Sequence, residues 1–275
     1  MRVRQYLFSV SLFFLCGLFS QIIYAQEDSL FHFSKKIEGS ISSFTVGNLG
    51  ELYLINTNNQ LKKYDENGDS VGVFNLIGKY GKLSYVEAQN PWKTALFYGD
   101  FSTIVILDKY LNVTTSINLR KANIFKVKAI TTSFDNNIWL FDEQNNQLKK
   151  IDDAGNILFE SVDFRQLFDQ SIAPIRIIDR EGFVYLYDAL KGLYVFDYYG
   201  SFKNKFSFFH WINFSVIGKD IYGFDSINMY KYESPFPDLK VIELPKAIQN
   251  SQWIQMNNSK LYALKEGHLW IYSIQ

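Results

Sequence analysis

The sequence predicts an all-β fold: a six-bladed β-propeller with four strands to a blade, closed into a ring by a strand from its own N-terminus. Three observations carry that prediction. An aromatic followed three places on by a turn-forming polar residue recurs six times, at Tyr53/Asn56, Phe97/Asp100, Trp139/Asp142, Tyr185/Asp188, Tyr222/Asp225 and Tyr262/Lys265, in steps of 44, 42, 46, 37 and 40 residues. A period of that length is the spacing of propeller blades, and it is too long for leucine-rich or ankyrin units. The composition agrees, since 17% aromatic residues and only 5 prolines in 275 positions favour strands. The strand inventory supplies the third observation: the chain ends after the third strand of its last blade, while one strand too many precedes the first.

The chain opens on a stretch unlike the rest. Arg2 and Arg4 precede an apolar run from Tyr6 to Ser20, and Ala25 stands before polar Gln26, Glu27 and Asp28. A basic start, an apolar stretch short of a bilayer span and a small residue at the junction describe a secretory signal peptide over residues 1–25. The competing reading is an uncleaved anchor. Lipidation at Cys16 is not expected, because Leu15 precedes it where a lipid-attachment motif wants a small residue. Cleavage leaves residues 26–275 as a single propeller domain with no transmembrane segment expected.

Removing Arg2 and Arg4 from 28 basic and 28 acidic residues leaves a slight negative balance. Nothing there attracts nucleic acid or anionic lipid. Cys16 is the only cysteine, so the mature chain has no disulfide, thiol nucleophile or thiolate ligand. An exported chain without disulfides points to a bacterial envelope, in the periplasm or associated with the outer membrane, with secretion as the alternative.

Within each blade the second strand starts at the recurring aromatic. The third strand ends in an apolar–acidic or similar pair: Tyr64-Asp65, Leu107-Asp108, Ile151-Asp152, Phe196-Asp197, Tyr232-Glu233 and Ile271-Tyr272. Four turns follow, at Asn67-Gly68, Leu111-Asn112, Ala154-Gly155 and Tyr199-Gly200, where Gly and Asn supply the positive φ of tight hairpins. The fifth blade substitutes Ser234-Pro235-Phe236-Pro237. The surplus strand, Ser29 to Ser34, should pair with His268 to Tyr272 and remove both exposed edges.

The run from Gly50 to Gly68 and its echo around Trp139 resemble NHL-type repeats. The resemblance covers the whole mature chain and implies a six-bladed propeller of the kind shared by NHL proteins, TolB-like domains and the gluconolactonase group. It does not imply one function, because these scaffolds carry binding modules and hydrolases alike.

The residues offer little chemistry. His32, His210 and His268 have no metal-ligand spacing, no metal or other cofactor is expected, and neither a nucleophile elbow nor a phosphate-binding glycine loop is present. Asp100, Asp142, Asp188 and Asp225 each follow a second strand, where an Asp caps the amides of its own turn. Catalytic residues are not assigned.

Ligand candidates come from the innermost strands. Alignment on the second strands puts Phe44, Glu87, Ile130, Arg176, Asn213 and Trp253 at one level, with Val46, Gln89, Thr132, Ile178, Ser215 and Gln255 at the next. Glu87, Arg176, Asn213 and Gln255 are the tunnel candidates; a structural Glu87–Arg176 pair is the plainer alternative. The resemblance to gluconolactonase-like enzymes implies a divalent cation at this axis, against which Arg176 stands.

Surface candidates are Tyr198, Tyr199, Phe209, Trp211 and Phe236, expected as a docking face on blades four and five unless Phe206 to Trp211 belong to the core. The expected function is a non-enzymatic, exported protein-interaction module with a protein partner in the cell envelope, as an accessory subunit of an outer-membrane or periplasmic assembly. The alternative is a divalent-cation-dependent hydrolase or lactonase, or a binder of a small ligand or carbohydrate, working in the axial tunnel.

Overall fold

A strand covered on both faces shows no apolar–polar alternation, and the middle strands of this chain read that way. All six residues of Lys93–Tyr98 and all five of Ile138–Asp142 are buried, because each lies inside a sheet packed between two others. The computed structural model describes residues 30–75, 77–234 and 238–275. The expected signal peptide at residues 1–25 and the surface candidate Phe236 lie outside them.

Phe31–Gln275 folds as one unit of six four-stranded antiparallel sheets, the predicted propeller. Blades one to five use four consecutive strands each. Blade six takes three from the C-terminus and its outermost from the N-terminus. That last strand, Phe31–Ile37, pairs with His268–Ile274 from Phe31 opposite Ile274 to Ile37 opposite Leu269, with an irregularity between Phe33 and Lys35. It begins slightly later than the sequence pattern suggests and runs on to Ile37. Both edges that an open ring would expose are thereby paired.

The hairpins between third and fourth strands share one device. Asp65, Asp108, Asp152 and Asp197 each accept, at Oδ1, the backbone N–H groups two and four residues on, at 2.8–3.0 Å. One carboxylate thus satisfies two turn donors. In blade two the left-handed residue is Leu111, at φ 68°, not Asn112; Asn112 instead donates its side-chain amide to Asp108. Gly200 is obligatory in its turn, since φ is +81° and a Cβ would lie 2.0 Å from the Phe159 ring.

Hairpins between second and third strands are capped by Asp142, Asp188 and Asp225, which accept the amides of Gln144, Leu190 and Ile227. Asp100 departs from this pattern. It lies in a 3-10 turn, Gly99–Phe101, and offers its backbone carbonyl to Arg120.

Aromatic residues fill the wedges between blades. Between blades three and four, Phe164 on the short helix Phe164–Phe168 packs against Phe141, Phe196 and Tyr194 with centroids 5.2, 5.0 and 6.5 Å away. Burying a side chain of that size contributes roughly 1.5–3 kcal/mol. Near the axis, where blades converge, side chains bond the neighbouring backbone: Thr45 donates to the Val86 carbonyl at 2.9 Å, and Ser215 accepts the Met256 amide at 3.1 Å.

Candidate functional site

Antiparallel order sends the turns after first strands and after third strands to one face of the ring, and all other connections to the opposite face. The first of these turns differ in length. Blades two, four, five and six turn in two residues, as in Arg180 opposite Phe183. Blades one and three run longer, from Val46 to Leu52 and from Thr132 to Ile138. Those two longer loops carry Asn48 and Phe134 to the mouth of the axis.

The mouth is a recess of about 390 Å³ lined by Asn48, Gln89, Asn90, Thr132, Phe134, Asp179, Arg180 and Glu181. Arg180, from the inner strand Arg176–Arg180 of blade four, reaches across the axis. Its Nη2 donates to Asn48 Oδ1 at 2.6 Å and to Gln89 Oε1 at 3.1 Å, tying blade four to blades one and two. Asp179, facing the other way, accepts the Trp139 indole N–H at 3.0 Å. Burial raises its pKa against the pull of that bond and of Ser133.

Below this bar lies a second, small cavity of about 20 Å³, lined by Arg176, Arg180, Gln89, Ser215 and Gln255 among polar residues and by Val46, Ile178 and Ile217 among apolar ones. Glu87 and Arg176, 1% and 4% exposed, both contact one side chain, Tyr85. The Tyr85 hydroxyl donates to Glu87 Oε2 at 3.2 Å, while the Arg176 guanidinium lies 5.0 Å from the Tyr85 ring centre. Glu87 Oε1 accepts the Gln89 amide at 3.0 Å. Burial pushes the Glu87 carboxyl up to about 8, with the Gln89 and Thr132 amides and the Arg180 charge opposing. Burial also lowers Arg176 to about 10. Among the described residues no carboxylate pairs with Arg176, so the plain ion pair with Glu87 is not formed.

Asn213 and Gln255 staple blades together. Asn213 donates to the Ile254 carbonyl at 2.8 Å, and Gln255 clamps Val46 from both sides, accepting its N–H at 3.1 Å and donating to its carbonyl at 3.0 Å. The Gln255 amide is spent on the backbone at both ends, while Asn213 keeps its Oδ1 buried without a partner. Phe44 and Ile130 belong to the cores between blades, with Trp253 packed against one of them, so the first aligned level does not form a ring of axial side chains. Arg180, Asn48 and Tyr85 complete the site without having stood out in the sequence. The signal for Arg180 was its spacing from Arg176, four positions along a strand and hence on the same face.

The surface candidates are divided between faces. Tyr198 and Tyr199 precede the outer strand Phe202–Phe206 and Phe209 follows it, so they sit at opposite ends of the blade. Trp211 is 4% exposed, stacked on Phe208 and Tyr230 with centroids 4.5 and 5.5 Å away, which makes it core. Its burial follows from the chain turning inward toward the axis after Phe209. The mouth face instead carries an aromatic rim: Trp92, Tyr110, Phe134 and Tyr199 are 69%, 63%, 65% and 72% exposed. Phe134 meets Tyr198 edge-on at 4.8 Å, Tyr198 meets Tyr199 at 4.5 Å, and Lys109 lies between Trp92 and Tyr110 at 5.0 and 4.8 Å.

The fold recurs in chains of 11–12% sequence identity. Virginiamycin B lyase from Staphylococcus aureus superposes with a TM-score of 0.60 at 12% identity, over 86% of this chain and 80% of that one. The Swd1 propeller domain from Myceliophteria thermophila gives 0.61 at 11% identity, over 89% of this chain and all of that one. PorZ of Porphyromonas gingivalis, described as an essential bacterial surface component of the type-IX secretion system, gives 0.54 at 12% identity, over 86% of this chain and 32% of that one. No protein-family model matches the sequence, and no curated protein matches it. The shared property is the β-propeller fold.

Proposed function

We propose that this protein is an exported propeller of the bacterial cell envelope that docks a protein partner on the face carrying the axial mouth. The aromatic rim carries the reading. Trp and Tyr are enriched at the energetic centres of protein interfaces, and large exposed aromatics grouped on one face suit that use. Their mounting is rigid: the backbone amides of Trp92, Tyr110 and Tyr199 donate to Asn90, Asp108 and Asp197 at 2.8–3.0 Å. A rigid mounting lowers the ordering cost of binding. Export rests on the pattern of residues 1–25, and PorZ illustrates a fold of this kind at a bacterial surface. An NHL- or TolB-like propeller accommodates either binding or hydrolysis, so the choice rests on the rim.

The test is affinity purification of the tagged protein from gently solubilised envelopes, with the partner then reconstituted. Trp92→Ala and Tyr199→Ala should each weaken the reconstituted complex by tenfold or more with an unchanged melting temperature, whereas Phe209→Ala on the opposite face should leave it intact. Loss through Phe209→Ala alone, or no loss from the rim variants, would overturn the assignment. Mass spectrometry of the same preparation should find a mature N-terminus at Gln26.

One observation favours a second reading. The recess pairs an aromatic wall, Phe134, with planar amide and carboxylate groups of Asn48, Gln89, Asn90 and Glu181, a combination that suits a carbohydrate. Titration calorimetry against envelope saccharides checks it, and binding abolished by Phe134→Ala would favour it over the protein partner.

A further inference from the structure

We propose that the small axial cavity binds one monovalent anion of chloride size, held by Arg176. The inference is independent of the docking face. Arg176 is 4% exposed, forms no ion pair or hydrogen bond among the described residues, and its Nε is buried without a partner. Its guanidinium lies over the face of the Tyr85 ring. A buried guanidinium cannot shed its proton at neutral pH, and taking it out of water without a counter-charge is costly. A ring face offsets only part of that cost.

The neighbouring carboxyl does not supply the missing charge. Glu87 has one oxygen bonded to the Tyr85 hydroxyl and the other to the Gln89 amide, and its high pKa leaves it mostly protonated at pH 7. Arg180, four residues along the same strand face, adds a second cation whose hydrogen bonds go to neutral amide oxygens and whose Nε is also unpartnered. Two guanidinium groups therefore face a cavity with no anion of its own.

Size selects the occupant. About 20 Å³ suits one small body of water or halide size. Walls of Val46, Ile178 and Ile217 beside the Ser215 hydroxyl suit a weakly hydrated, polarisable ion. A halide meets both conditions.

The full chain is melted at fixed pH and ionic strength while chloride replaces gluconate, and crystals are soaked in bromide. The expected results are a saturable rise in melting temperature with chloride, reproduced by bromide, and a bromide anomalous peak beside the Arg176 guanidinium. Arg176→Met should abolish the chloride dependence, while Arg120→Gln at the surface should retain it. A halide-independent melting temperature, ordered water alone at Arg176, or bromide peaks confined to the outer surface as adventitious ions would each overturn the proposal. If Arg176→Met fails to fold, the titration and the bromide map of the unaltered protein decide.

Discussion

Glu87 sets a pH dependence whose sign is fixed by its burial. Its pKa is about 8 in the folded chain against 4.5 for the free group, so between those values the folded state keeps a proton that the unfolded state releases. Stability is fully present below about pH 4.5 and is lost as pH rises through 8. The charges facing Glu87 are Arg180, which limits the shift, and Arg176 across the Tyr85 ring. Thermal melts should show a decline between pH 5 and 8 that Glu87→Gln flattens; parallel declines in both proteins would assign the effect elsewhere. A second buried charge acts differently. Lys149 Nζ lies 3.1 Å from Asp142 and 2.8 Å from Glu160, with Asp142 fully buried. Lys149→Met leaves the Asp142 carboxylate without its cation, and urea unfolding should register a loss of about 3–5 kcal/mol.

At the level of the strand and its turn, what was legible and what was not follow from the same repeat. The blades could be counted because the aromatic recurs in all six and an Asp caps the third-to-fourth turn in blades one to four. The axial levels could not, because the longer first turns of blades one and three break the fixed offset from second strand to first. The nine-residue offset from Tyr53 to Phe44, Trp139 to Ile130 and Tyr185 to Arg176 therefore put Phe44 and Ile130 beside Arg176, when both pack between blades. Glu87 and Arg176 did come together, through Tyr85, a residue that reads as an ordinary strand aromatic. Phe209 and Trp211 misled by proximity, since the chain moves from the outer edge of blade four to the inner strand of blade five between them. The one trace of Trp211's burial was Gly223 in the second strand of blade five, where a Cβ would stand 2.2 Å from the indole. Gly223→Ala should therefore cost on the order of 1–3 kcal/mol, seen as a lower melting temperature, and Trp211→Leu should recover part of it.

For the ring as a whole, closure is the interaction that no single blade supplies. Each blade packs on two neighbours, and the pairing of Phe31–Ile37 with His268–Ile274 joins the first strand of the propeller to the last as one ladder. The strand brings side chains with it. Phe33 meets Trp270 and Tyr272 edge-on at 6.0 and 5.6 Å, and Lys36 lies 5.1 Å from the Trp270 ring centre. Deleting residues 31–37 would leave the ladder groups of His268–Ile274 unpaired and its aromatics uncovered, the condition that invites pairing with another chain. A melting temperature lower by about 10 °C is expected from the lost apolar burial and ladder bonds, together with self-association that grows with concentration in sedimentation experiments. A synthetic peptide spanning residues 30–38 should bind the deleted chain, restore much of the melting temperature and suppress the association. A deleted chain that stays monomeric and melts where the full chain does would mean that blade-to-blade packing alone holds the ring shut.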